Sequence, residues 1–505
     1  RGIHRRADRP EQTRGTVVPI SMAPALNSSA PALITYADRL AGSIDGVASL
    51  LAGPLDGAFG GVHLLPFFVP IDGADAGFDP VDHTAVDPRV GSWDSVTALA
   101  GRSRVMADLI VNHVSSGSEP FLDWLAKGDG SRYAEMFLTP QHVVGGLPGP
   151  ADLDRIYRPR PTSPFTEFTF ADGAQRTVWT TFTDQQVDID VEHPLGWGYL
   201  LEILDRFASA RVTTVRLDAV GYAIKRAGTS CFMLPETMAF IDRLADACHE
   251  RSMEVLVEVH GHHLDQLAIA SRVDLVYDFA LPPLTIDALT TGDGVPLRRW
   301  IAMRPANSIN VLDTHDGIGV IDVGTDARNP ERTGLLAPQR IHDLVEGIHE
   351  RSAGISRAAT GSSASNVDLY QVNCTFYDAL GRDDDRYLAA RMIQCMLPGT
   401  PQIYYVGLLA GENDADLLAL TGVGRDVNRH YYSPAEIDDA LTRPVVQRLL
   451  TLLRWRATEP AFDGTFELLE SADHVVAVRW SSPASTVMIE VDLASGSVSV
   501  DPPFD

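Results

Sequence analysis

Apolar runs of four to eight residues, most of them ending in polar or charged residues, recur at 33–36, 61–68, 105–111, 212–218, 254–260, 275–281, 310–316 and 402–406. Most are apolar on both faces rather than alternating, the pattern of strands covered on two sides in a parallel sheet. Between most of them, apolar residues return at helical spacing. Leu200, Ile203, Leu204, Phe207 and Ala208 predict one amphipathic helix; Ile241, Leu244, Ala245 and Cys248 predict another, opened by Pro235. Eight strand–helix units predict an α/β fold of the (β/α)8 TIM-barrel type. A doubly wound sheet uses similar units, but no glycine-rich phosphate fingerprint follows the first strand.

The rhythm breaks in two places and changes near the C-terminus. Residues 114–190 are rich in Gly, Pro and aromatics and predict an inserted domain; 318–381 predict a second insertion. The barrel is then expected from 32–113, 191–317 and 382–461. From 462 to 505, three short runs separated by turn residues predict a small antiparallel β domain. Residues 1–31 are arginine-rich at the start and read as a disordered N-terminal extension, with Met22 shortly before the first strand. The run Asp383-Asp384-Asp385 reads as a solvated loop.

Composition narrows the partners. The 505 residues are 45% hydrophobic and 21% charged, with a formal net charge of -26. That surface repels polyanions, so neither nucleic acid nor an anionic membrane is an expected partner. No apolar run is long enough to span a bilayer. The four cysteines, Cys231, Cys248, Cys374 and Cys395, form no C-x-x-C pair. This points to a reducing, cytoplasmic setting and against a structural zinc site. His260, His262 and His263 lack a companion set of Cys or carboxylates, so no metal is expected. Oligomeric state stays open, a homodimer being one arrangement the chain allows.

The chemistry begins at Arg216-Leu217-Asp218. Residues i and i+2 of a strand project to one side, so this guanidinium and carboxylate are expected to emerge together. An isolated R-x-D is most often a structural ion pair. Here Glu258 and Asp316 end two further predicted strands, and His113 and His315 stand at equivalent places. Barrel active sites form at these strand ends. Two carboxyl groups flanking a sugar ring carry out retaining glycoside chemistry, one as nucleophile and one as acid/base. Asp218, its charge held by Arg216, suits the nucleophile. Glu258, on an apolar strand, suits the acid/base, because desolvation favours the protonated carboxyl. Asp316 is expected to hold sugar hydroxyls.

Four segments in order, Asp108-Leu109-Ile110-Val111-Asn112-His113, Arg216-Leu217-Asp218, Glu258 and His315-Asp316, resemble the signature motifs of the α-amylase superfamily. Residues 76–80, 156–161, 185–190, 228–232, 368–373 and 424–429 are similar to those of sucrose phosphorylases within it. The resemblance runs from about residue 32 into the C-terminal domain. It implies a hexosyltransferase without cofactor or calcium, acting on sucrose and inorganic phosphate through a glucosyl-enzyme intermediate and giving α-glucose 1-phosphate and fructose. It also implies that Asp75, His113, Arg216, His315, Asp316 and Arg425 grip the glucosyl unit, flanked by Phe78 and Phe182. Tyr157, Arg160, Gln186, Tyr222, His260, Asp368, Leu369, Tyr370 and Gln371 fall on the acceptor side, where Arg160 is the natural cation for phosphate. Gly261-His262-His263 departs from the tyrosine-bearing pattern of sucrose phosphorylases. The alternatives are therefore phosphorylases of sucrose 6'-phosphate, glucosylglycerol or glucosylglycerate, a hydrolase, and a non-catalytic sugar-binding scaffold. The intact Asp218, Glu258 and Asp316 set argues against the last.

Overall fold

The computed structural model describes residues 30–73, 75–158, 163–326, 329–361 and 371–504. Residues 1–29, most of the expected extension, lie outside the described residues. Eight parallel strands close a barrel. They are β1 (Ala32–Thr35), β2 (Gly61–Leu64), β3 (Arg104–Ile110), β4 (Thr214–Asp218), β5 (Glu254–Val257), β6 (Leu275–Asp278), β7 (Ser308–Asn310) and β8 (Thr400–Tyr404). Each pairs with the next in sequence, and β8 closes on β1. The two predicted helices form as α1 (Pro194–Ser209) and α2 (Pro235–His249), each with Pro in its first turn. Leu200, Ile203, Leu204 and Phe207 of α1 are wholly buried. Each such side chain contributes roughly 1.5–3 kcal/mol over an exposed one.

Every residue of β4 is buried, as a strand packed on both sides requires. Its register sets the site. Arg216 pairs with Asp108 of β3, and Leu217 with Val257 of β5. Two expected strands stop early. β5 ends at Val257, one residue before Glu258, and β7 ends at Asn310, six residues before Asp316. Asp316 thus stands on a loop, not at a strand end. Other chain segments hold that loop: Asn428 donates to the Thr314 carbonyl (2.9 Å) and Arg429 to the His315 carbonyl (2.9 Å). Arg391 also pairs with Asp313 (2.7 Å).

Between β3 and β4, His113–Ser115 pairs antiparallel with Gln186–Asp188, and Phe165–Thr169 with Gln175–Trp179. Between β7 and β8, Ile318–Gly319 pairs with Gln371–Val372, alongside the helices Pro338–Arg351 and Ile355–Thr360. The expected Asp383–Asp385 loop is instead the start of α3 (Asp384–Met396). The Asp383 carboxylate caps it, accepting from the Asp385 and Arg386 amides (3.1 Å each). The C-terminal sheet has four antiparallel strands, β9 (Thr465–Leu468), β10 (Val475–Ser481), β11 (Thr486–Asp492) and β12 (Val498–Asp501). The last was not foreseen. Among the described residues, no helix is long and apolar enough to cross a membrane.

Candidate active site

Arg216 is the hub. Its guanidinium is 1% exposed and reaches three carboxylates on three adjacent strands or their ends. It donates to Asp108, lies 3.0 Å from Asp218 through Nη1 and 3.1 Å from Glu258 through Nη2. Asp108 also bonds His63 Nε2 (2.9 Å), so two cationic or dipolar partners hold it from opposite sides. Burial works against the Asp108 charge, but His63 and Arg216 overrule it and its carboxyl falls well below the usual range.

Arg216 is not the only influence on Asp218. Burial pushes the Asp218 carboxyl well above its ordinary value; Arg216 opposes this, but Glu258, Asp108 and Asp316 add to it. A single guanidinium is shared among several carboxylates. Directly after Asp218, Ala219 takes a left-handed conformation (φ 55°), and the chain turns sharply into Val220–Tyr222.

Asp316 enters from its loop and is met by other cations. Arg425 Nη1 lies 2.8 Å from it and Arg429 Nη2 3.9 Å. Burial alone would raise this carboxyl, but the guanidinium groups of Arg425 and Arg429 drive it far below the usual carboxylate range. Arg425 also faces Asp75 at 4.0 Å. Phe78 and His315 stack at 4.8 Å with planes 10° apart, and burial depresses His315 to about 3, so its imidazole is neutral. His113 Nε2 lies 3.0 Å from the Phe78 carbonyl and 3.1 Å from Gln186 Nε2. These contacts set an aromatic face, Phe78 with His315, beside the polar groups of His113, Gln186 and Asp316.

The opposite side is aromatic. Phe182 packs on Tyr222 (5.0 Å) and on His113 (5.2 Å), and Tyr157 joins Tyr222 through Phe232. Gln371 reaches His260 Nε2 (3.2 Å) and is itself met by Arg425 (3.4 Å). The structure thus brings together fifteen of the nineteen sequence-selected residues. Arg160, Asp368, Leu369 and Tyr370 lie outside the described residues.

Several participants were not singled out from the sequence: His63, Arg429, Lys225 and Asp322. His63 interrupts an apolar strand, a visible signal. The others carry none locally. Lys225 Nζ lies 2.8 Å from Asn112 Oδ1 and 2.8 Å from Asp188 Oδ2, and it donates to the Tyr222 carbonyl. An ammonium thus already neutralises the oxygen cluster around Asn112. His260, His262 and His263 do not converge: His262 Nε2 faces the Thr333 carbonyl, while His260 faces Asp322. Among the described residues, Glu258, His260 and Asp316 bring ligand-type atoms within 4.8 Å of one another. Both carboxylates are already paired with guanidinium groups, at 3.1 and 2.8 Å, and that charge opposes a metal cation.

The profile of the alpha-amylase catalytic-domain family matches residues 19–295. A sucrose phosphorylase of Agrobacterium vitis is 57% identical over 469 residues, covering 93% of this chain and 96% of its own. The chain belongs to the alpha-amylase family, within its sucrose phosphorylase group. A second member, the sucrose phosphorylase of Bifidobacterium adolescentis, is 52% identical, covering 92% of each chain. The group's architecture is also present in a crystal structure of sucrose 6F-phosphate phosphorylase from Thermoanaerobacter thermosaccharolyticum. That structure matches with a TM-score of 0.88 at 36% identity, over 95% of this chain and 96% of its own.

Proposed function

We propose that this enzyme phosphorolyses sucrose by double displacement. The observation that carries the reading is Arg216 spanning Asp218 and Glu258 at 3.0 and 3.1 Å, at neighbouring strand ends. Asp218 attacks the anomeric carbon of the glucosyl unit, the bond to the fructosyl oxygen breaks, and Glu258 delivers a proton to that oxygen. Positive charge growing on the anomeric carbon favours Asp218 as the anion, while the departing oxygen draws the proton to the opposite carboxyl. Phosphate then attacks the glucosyl ester from the face that fructose left, giving α-glucose 1-phosphate with overall retention. Asp316, kept anionic by Arg425 and Arg429, holds hydroxyls and stabilises the cationic transition state. His113, His315 and Asp75 complete the glucosyl side; Tyr222, Tyr157, His260 and Gln371 bound the acceptor side. Arg160 is assigned to phosphate from the sequence.

Sucrose is favoured over its 6'-phosphate as donor. Arg332, beside the His262 segment, is held by Asp265 and Asp326 at 2.7 Å each, so its charge is committed within the protein. All four cysteines are buried thiols, which supports a reducing cytoplasmic setting. Incubation with sucrose and phosphate tests the function, with sucrose 6'-phosphate and glucosylglycerol alongside. Glucose 1-phosphate is expected from sucrose at the highest kcat/KM; free glucose without glucose 1-phosphate would overturn the phosphorylase reading. Asp218→Asn is expected to abolish turnover while leaving the chain folded.

A further inference from the structure

His260 is gripped at both ring nitrogens by one segment that follows β7. On the Nδ1 side, Asp322 Oδ2 lies 3.1 Å away. On the Nε2 side, Gln371 Nε2 lies 3.2 Å away. Asp322 sits on the turn Ile321–Val323, directly after the short strand Ile318–Gly319 that pairs with Gln371–Val372. One two-stranded ribbon between β7 and β8 therefore brings both partners to a histidine 62 and 111 residues earlier in the chain. The ring lies flat on Phe279, 3.8 Å between centroids and 17° between planes, which fixes its tilt.

Asp322 is built for this contact. It is wholly buried, and its other oxygen accepts from the Gly261 amide (3.1 Å) and from Gln266 Nε2 (3.0 Å). Three donors converge on one carboxylate, so its side facing His260 is an acceptor and Nδ1 carries a hydrogen. The Gln371 amide oxygen faces Arg425, which turns its NH2 to His260 Nε2 as a donor. Asp322 thus holds the ring at Nδ1, and Gln371 meets it at Nε2. That Nε2 lies 3.9 Å from Glu258 Oε1.

We propose that Asp322 is a positioning residue for the leaving group: it fixes the His260 ring beside Glu258 on the fructosyl side. The inference rests on the sucrose reading above. It predicts that Asp322 matters when a sugar departs and not when a bare ion does. Asp322→Asn keeps the shape and one acceptor oxygen but turns an NH2 toward Nδ1. The Nδ1–H then faces a donor instead of an acceptor, and the ring loses that hold. Gly319→Ala perturbs the same pair from another side, because an added Cβ would meet Asp322 Oδ2 at 2.4 Å and His260 Nδ1 at 3.2 Å.

The test compares two donors on the full chain, each with phosphate as acceptor: sucrose and α-glucosyl fluoride. With the fluoride, Asp218 forms its bond to the anomeric carbon as the carbon–fluorine bond breaks and fluoride leaves with the electron pair. Phosphate then displaces Asp218, so the second step is common to both donors. Asp322→Asn is expected to lower kcat/KM for sucrose about 10- to 100-fold, the scale of an outer partner that orients a functional histidine, and to leave the fluoride within about threefold. In a His260→Gln background, Asp322→Asn is expected to add no further sucrose-specific loss. If Asp322→Asn does not fold, Gly319→Ala carries the same comparison. Equal losses on both donors, no loss on either, or full additivity with His260→Gln would overturn the inference alone. Wild-type turnover of the fluoride but not of sucrose would overturn the functional reading and this inference with it.

Discussion

Lys225→Met tests how the insertion after β3 is tied to the barrel. The lysine side chain is 2% exposed and its partner Asp188 is 0% exposed. The ammonium joins Asn112 beyond β3, Asp188 on the strand Gln186–Asp188, and the Tyr222 carbonyl after β4. Methionine keeps the length of the chain and deletes the charge. Removing one partner of a buried pair costs about 3–5 kcal/mol, because the other charge stays buried. Asp188 keeps two donors from Thr181, at 3.0 and 2.5 Å, which places this case at the lower end, about 3 kcal/mol. That is roughly two orders of magnitude in the opening equilibrium at 1.36 kcal/mol per factor of ten. Native-state proteolysis at 25 °C reads the opening directly, with cleavage sites expected within 114–190. The double variant Asp188→Asn/Lys225→Met removes both charges and is expected to recover more than half of the loss. A loss below about 1 kcal/mol, or a double variant no more stable than the single one, would refute the assignment.

Three further outcomes are expected. Arg425→Leu removes the cation 2.8 Å from Asp316, so the Asp316 carboxyl rises and the acid limb of the kcat/KM profile for sucrose moves to higher pH; an unmoved limb would refute its part in keeping Asp316 anionic. Burial depresses His83 to about 4, below its unfolded value near 6.5. As pH falls through that window the unfolded chain takes up the proton first, so stability drops between about pH 6.5 and 4. Denaturant midpoints at pH 7 and 5 are expected to differ less in His83→Gln than in the wild type. Arg160→Ala is expected to raise the apparent KM for phosphate more than that for sucrose; the reverse order would refute its role.

The barrel was legible because each strand is a short, doubly buried apolar run. Asp218, with Arg216 two residues before it, was legible because strand alternation is a local rule. The Asp316 loop was not: its four polar residues, Asp313 to Asp316, are fixed by Arg391, Asn428 and Arg429, which lie far along the chain. The same holds for Asp322, which has meaning only once the turn Ile321–Val323 packs against His260. Asp383 was a different kind of miss. An acidic run before a periodic stretch is a helix N-terminus signal, and it was read as a loop for its charge alone. The three-residue pattern Arg216-Leu217-Asp218 shows one cation beside one carboxylate. The folded site divides that cation among three.

That division has a consequence for the reaction cycle. In the proposed cycle Asp218 loses its negative charge as it becomes a glucosyl ester, and in the same step Glu258 gains one by giving up its proton. Arg216 contacts both, so the sum of charge around the guanidinium is unchanged from start to intermediate. A constant charge around one preorganised guanidinium suits a reversible transfer between two acceptors.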